Sequence, residues 1–373
     1  MRQAWRRTAL SLSILGILGA LSLGCAVGTA PPAAKTGAGA AAVFPGETWE
    51  RIYVPEAAGY SRDGIIAALD KLKTMTTTAL MVVADGKILF DYGDTAELSY
   101  LASVRKSVLA MLYGIYVAQG KIRLDKTLAE LGITDIGGLS PQELEATVSD
   151  LLSARSGVYH PASNSGDNLA DAPPRGSQRH GTYFLYSNWD FNALGTIFEQ
   201  ETGRNIYDAL ESDMARPVQM QDFNRAVQRK SGDPTKSRHP AYHIRLSTRD
   251  MARIGLLILR DGNWRGVQIV PRDWVRKITS PITRNTEMNP TGLRNGRWGY
   301  GYLWWVFDGP AAQGPYEGAY SGQGAGGQYI TVIPKLNLVV AHKLNTATSK
   351  PVASRDYFDL VDLIVRARLD KSR

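Results

Sequence analysis

Ser103 and Lys106 stand three residues apart in SVRKSVLAMLYGIYVAQG, at the start of a largely apolar stretch that ends at Gly120. Val104, Val108, Met111, Leu112 and Ile115 recur at helical spacing and predict a helix buried on one face. Residues i and i+3 are neighbours on a helix, roughly 5–6 Å apart at Cβ, and side chains lean toward the N-terminus, so Lys106 reaches back over Ser103. The positive end of the helix dipole and burial both disfavour the ammonium form and leave an amine able to accept a proton. Ser103 is then a nucleophile with Lys106 as its base, and the free N–H groups of the helix end could hold an oxyanion. The competing reading makes Ser103 an N-cap. With this serine and lysine content S-x-x-K is expected about once by chance, and it occurs once.

A second group lies in YFLYSNWDFNALGTIFEQETG. Tyr186 and Asn188 form a Y-x-N triplet ahead of a predicted helix whose face carries Phe191, Leu194, Ile197 and Phe198. A tyrosine beside a lysine amine could be partly phenolate and relay protons, and Asn188 could bond a substrate amide through donor and acceptor. Alternatively Tyr186 is a buried aromatic and Asn188 an N-cap. A third group is glycine-rich, Ser321-Gly322-Gln323-Gly324-Ala325-Gly326-Gly327-Gln328, ahead of the strand-like YITVIP. Glycines there permit close backbone approach by a ligand, or merely a flexible loop.

Three other combinations are weak. His239 and His243 have i, i+4 spacing, but Pro240 argues against a continuous helix and hence against a zinc pair; His243 is expected to serve a structural hydrogen bond. H-E-x-x-H and G-x-S-x-G do not occur. Trp304 and Trp305 are adjacent in a strand-like run, so at most one faces any pocket.

The elements that must position these groups read as follows. Residues 62–74 predict a short amphipathic helix, and ALMVVADGKILFDYG a hairpin turning at Asp85-Gly86. Strand signals are sparse from Lys121 to about Ser237, where QELEATVSDLLS and NALGTIFEQETG read as helical. A helix over 249–260, strands in GYGYLWWVF, GGQYITVIP and LNLVVAHKL, and a helix over about 354–369 follow. The simplest assembly is α+β: one antiparallel sheet built from both chain ends (about 48–120 and 246–373), flanked by helices, with an all-helical insertion (about 121–245). A site is expected between the two parts.

Ahead of this, three arginines precede the apolar run LSLSILGILGALSLG, which ends at Cys25, the only cysteine. Residues 1–25 predict an export signal, with Cys25 a lipid-attachment point or cleavage falling slightly later, near Ala26–Ala30. Residues 26–47 read as a linker. The net charge of +8 includes Arg2, Arg6 and Arg7, and no basic run appears elsewhere, which argues against a nucleic-acid partner. Membrane contact is expected only through the N-terminal anchor.

The order S-V-R-K, Y-S-N 83 residues later and the glycine-rich group 135 residues beyond resembles the serine β-lactamase-like hydrolases, especially the class C branch with its D-aminopeptidases, carboxylesterases and aminohexanoate-oligomer hydrolases. The resemblance implies Ser103 as the acylated nucleophile, Lys106 as proton acceptor, and Tyr186 as partner base and leaving-group acid. It implies an oxyanion hole from the N–H of Ser103 and of Gly324 or Ala325; substrate contacts are expected from Asn188 and from the neutral amides of Gln323 and Gln328, with no metal or cofactor. One departure matters. The family's K-T-G is replaced by Ser321-Gly322-Gln323, without the cation that attracts the carboxylate of β-lactams and D-Ala peptides. An ester or amide substrate of small-molecule or peptide type is therefore expected ahead of a β-lactam. An inactive binding protein of the same fold is the alternative of another class.

Overall fold

The Asp85-Gly86 pair turns as its residue types require. Both residues have positive φ, 52° and 85°, which closes a two-residue hairpin between β1 (Ala79–Ala84) and β2 (Lys87–Gly93). The computed structural model of the protein describes residues 42–347 and 349–369. The predicted signal, Cys25 and most of the predicted linker lie outside them.

The strands that follow are β3 (Ser99–Tyr100), β4 (Arg229–Ser231), β5 (Ala241–His243), β6 (Arg245–Leu246), β7 (Asn263–Trp264), β8 (Val267–Gln268), β9 (Trp298–Tyr300), β10 (Trp305–Phe307), β11 (Tyr320–Gly324), β12 (Gln328–Ile333) and β13 (Leu338–Lys343). The helices are α1 (Arg62–Lys73), α2 (Val104–Ala118), α3 (Pro141–Leu144), α4 (Val148–Leu152), α5 (Asn188–Thr202), α6 (Ile206–Leu210), α7 (Thr248–Leu259), α8 (Arg272–Ile278) and α9 (Ser354–Arg366). Seven strands form one antiparallel sheet in the order β2-β1-β13-β12-β11-β10-β9, so both chain ends build it, as expected.

Strand alternation splits the core. Met81, Val83, Val339 and Ala341 face a large cluster with α2, α5 and α7, whereas Leu80, Val82, Leu338 and Val340 face a smaller one with α1 and α9. Both faces are covered, which explains the apolar run of β1 and the apolar first four residues of β13.

The region read as all-helical needs correction. It also holds the β4–β5 hairpin, and β6, just beyond it, pairs with β3. The GYGYLWWVF run is two strands rather than one, broken around Leu303 at φ 59°. Lys343, at the end of β13, donates to the carbonyls of Ser99 (2.7 Å) and Leu246, so the small β3–β6 sheet is fastened to the large one just ahead of Ser103. Burial pushes this amine down to about 7.

Gly114 sets how closely α2 meets α8. A Cβ there would stand 2.1 Å from Cδ1 and 2.5 Å from Cγ of the Trp274 indole, whose Nε1 is already bonded to Ala110 O at 2.8 Å. Helix propensity alone would favour Gly114→Ala by about 1 kcal/mol, but overpacking against a fixed ring costs about 1–3 kcal/mol. Gly114→Ala is therefore expected to lower the urea midpoint; a stabilised variant would show that α8 is free to retreat.

Candidate active site

Ser103 occupies the N-cap position of α2, yet its side chain makes no capping hydrogen bond. Its Oγ lies instead 3.0 Å from Lys106 Nζ, one turn along the helix. The same amine lies 2.7 Å from the Tyr186 hydroxyl and 2.7 Å from Asn188 Oδ1. Four residues drawn from two distant segments thus meet at one nitrogen.

Lys106 is 1% exposed, and among the described residues no carboxylate pairs with it. Burial holds its amine well below the usual lysine range, and the neighbouring Arg105 guanidinium adds to this; Asp167 opposes it. The faces of Tyr186 and Phe191, 4.2 and 4.4 Å away, attract a cation. Such contacts stabilise by about 0.5–2 kcal/mol, against several kcal/mol for desolvating an ammonium, so the neutral amine wins. Burial pushes the Tyr186 hydroxyl up to about 12, only partly offset by Ser103 and Arg105. The expectation of a partial phenolate is therefore corrected: desolvation keeps the resting Tyr186 protonated.

Asn188 is not the N-cap of α5. Ser187 is, its Oγ accepting from Asp190 N, while Asn188 begins the helix. Besides facing Lys106, Asn188 donates through Nδ2 to Ser165 O (2.8 Å), and its N–H bonds Asp167 Oδ2 (3.0 Å). Both ends of its amide are occupied and the residue is 1% exposed, so it positions the lysine rather than lying open to substrate.

The glycine-rich group is mostly strand, not a loop before one: Ser321 to Gly324 lie in β11, and residues 325–327 turn into β12. A Cβ on Gly324 would stand 2.5 Å from Leu101 O and 3.1 Å from Ser103 N, so glycine lets β11 abut the start of α2. The Gly324 carbonyl faces β12, accepting from Gly327 N at 3.3 Å. The Gly324 C=O and Ala325 N–H belong to one trans peptide, so the Ala325 N–H points the opposite way. Neither Ser103 nor Ala325 N–H finds a backbone acceptor among the described residues.

Ser103, Tyr186, Trp305, Gln323, Ala325 and Tyr329 line a cleft of about 370 Å³. Trp305 stacks on Tyr186 at 5.5 Å, whereas Trp304 is turned away onto Tyr320. The Gln323 Nε2 is buried without a partner among the described residues. Gln328 is corrected as a substrate contact. Its position in β12 buries it completely, with Nε2 donating to Leu344 O at 2.6 Å. The two histidines occupy separate surroundings, His239 beside Thr196 and His243 bonded to Ser231 and Tyr100. Of the adjacent tryptophans only Trp305 reaches the cleft, while sequence reasoning missed Tyr329 and Asp167 there, neither of which stands in a motif.

Comparison with known proteins places this arrangement. The model of the beta-lactamase family matches residues 63–363. An uncharacterised protein of Alkalihalophilus pseudofirmus is 26% identical over 268 residues, covering 66% of this chain and 73% of its own. Among solved structures, a putative 6-aminohexanoate-dimer hydrolase from Bacillus anthracis superposes with a TM-score of 0.60 at 20% identity, over 80% of each chain. A family VIII carboxylesterase does so with a TM-score of 0.59 at 14% identity, over 85% of this chain and 98% of its own. At these identities the two structures establish the fold.

Proposed function

Since the chain belongs to the beta-lactamase family, we propose that it is a serine hydrolase that cleaves an ester or amide through an acyl-enzyme on Ser103. The observation that carries this is the buried Lys106 amine, held neutral by desolvation, 3.0 Å from Ser103 Oγ and 2.7 Å from the Tyr186 hydroxyl. Ser103 Oγ attacks the substrate carbonyl carbon and its proton passes to Lys106. Negative charge gathers on the carbonyl oxygen, where the N–H groups of Ser103 and Ala325 receive it. Tyr186, protonated at rest, gives its proton to the departing alkoxide or amine and regains one from Lys106. Water then attacks the acyl carbon, its proton moves to the Tyr186–Lys106 pair and from there to the departing Ser103 Oγ, which restores the resting enzyme and frees the carboxylic acid product. Asn188 fixes the amine, and Gln323 lines the cleft with a neutral amide.

The neutral Gln323 on β11 favours a carboxylesterase or amidase over a β-lactamase or DD-carboxypeptidase. An inactive binding protein is disfavoured because nucleophile, amine and tyrosine are all retained and in contact. The enzyme is assigned outside the cytoplasm on the strength of its N-terminal segment, with Cys25 as the lipid-attachment point. Wild-type protein is expected to hydrolyse 4-nitrophenyl butyrate faster than nitrocefin, and Ser103→Ala to lose the ester activity by at least about 10³-fold. Equal turnover by both proteins would remove Ser103 from the reaction.

A further inference from the structure

A second cavity adjoins the cleft. It has a volume of about 400 Å³, and Tyr100, Arg229, Ser231, His243 and Arg245 are among its walls. Thr346, also in its wall, has its Cγ2 only 2.7 Å from where Gly326 would carry a Cβ, and Gly326 lines the Ser103 cleft. Tyr100 lies three residues before Ser103. The two small sheets bring these residues together, because Tyr100 pairs with Arg245 across β3–β6 and Arg229 with His243 across β4–β5.

Among the described residues neither arginine has an acidic partner. The Arg245 guanidinium donates only to the Val227 carbonyl, at 3.4 Å, and that of Arg229 to no described residue, although most other arginines of the surface are paired. Glu97, next in sequence to the wall residue Leu98, accepts from Asn345 at 2.6 Å. His243 is occupied on both ring nitrogens, by Ser231 (2.6 Å) and Tyr100 (3.0 Å), and burial together with Arg105, Arg245 and Arg229 pushes it down to about 4. The cavity therefore presents two guanidinium groups with no carboxylate bonded to either among the described residues, beside a cleft whose strand β11 carries no cation.

We propose that Arg229 and Arg245 bind a carboxylate carried by the substrate away from the scissile carbonyl, so that the preferred substrates are esters or amides with an anionic end. Guanidinium suits a carboxylate because its planar fork can donate two parallel hydrogen bonds. The inference rests on the hydrolase reading above and extends it to the substrate class.

The test uses the full chain and the double variant Arg229→Gln/Arg245→Gln. Adipate binding is followed by calorimetry, and kcat/KM is measured for the 4-nitrophenyl hemiester of adipate and for uncharged 4-nitrophenyl butyrate. The double variant is expected to lose about tenfold or more in adipate affinity and in hemiester kcat/KM, with butyrate unchanged. Undiminished adipate binding, or equal losses on both esters, would overturn the proposal. Inorganic phosphate that binds at the arginines and raises turnover without competing with the hemiester would also overturn it, by assigning the site to a free anion. If wild type turns over neither ester, the hydrolase reading fails, while the calorimetry still decides whether the arginines hold a carboxylate.

Discussion

Lys106→Met is expected to lower kcat/KM for 4-nitrophenyl butyrate by about 10²–10⁴-fold, the usual worth of a positioned base, while leaving the protein at least as stable as wild type at pH 7. The variant keeps the length and apolar stem of the side chain and removes only the amine. Losing the amine strips Asn188 Oδ1 of its partner, at about 1–3 kcal/mol. Against that, a fully buried nitrogen with no paired carboxylate among the described residues no longer has to be desolvated, an effect of several kcal/mol. The pH dependence follows from the same shift. Unfolded, this lysine titrates near 10.5; folded, it loses its proton well below that. Between the two values the unfolded chain binds a proton that the native state does not, so wild-type stability rises with pH through this window. The variant lacks this contribution, and its relative advantage narrows as pH approaches 10.5. Denaturant titrations at pH 7 and 9.5, beside the kinetics, check both halves. Retained turnover, or a variant several kcal/mol less stable, would mean that Lys106 is a structural cation.

Gly324→Ala is expected to reduce kcat by about 10²–10³-fold with a smaller change in KM, since one oxyanion donor is worth about that much. The added methyl would sit 2.5 Å from Leu101 O, a backbone atom that cannot rotate away. Either β11 retreats, taking Ala325 N–H with it, or residues 101–103 shift and carry Ser103 off its line to Lys106. Both routes spoil the geometry around the developing charge, and overpacking adds about 1–3 kcal/mol of destabilisation. Kinetics well below the melting range separate the two effects. A folded Gly324→Ala protein with normal kcat would remove the β11 end from the reaction.

The elements with strong periodicity or turn chemistry were legible in the sequence. The Asp85-Gly86 hairpin, α2 ending ahead of Gly120, α7 and α9 all form where expected, because period and breaker agree. The β3–β6 and β4–β5 pairs were not legible: strands of two or three residues are too short to show alternation, and they form only because distant segments meet. Which face a residue takes was equally hidden. Gln323 and Gln328 look alike in the glycine-rich group, yet the β11–β12 register leaves one at the cleft and buries the other. The meeting of Lys106 with Tyr186 and Asn188 was inferable from motif order, but the protonation of Tyr186 was not, since it depends on burial by Trp305, Phe191 and Tyr300. Lys343 read simply as the end of an apolar strand; its role in fastening β3 depends on two carbonyls that come from elsewhere in the chain.

The central claim is a covalent bond to one oxygen. Wild-type protein mixed with excess 4-nitrophenyl butyrate, quenched in acid and digested, would be read by peptide mass spectrometry. The account predicts a single butyryl mass increment on the peptide containing Ser103, absent from Ser103→Ala and accumulating in Lys106→Met only far more slowly. Turnover of the ester with the increment on another residue, or with none in rapid-quench samples from wild type, would contradict it.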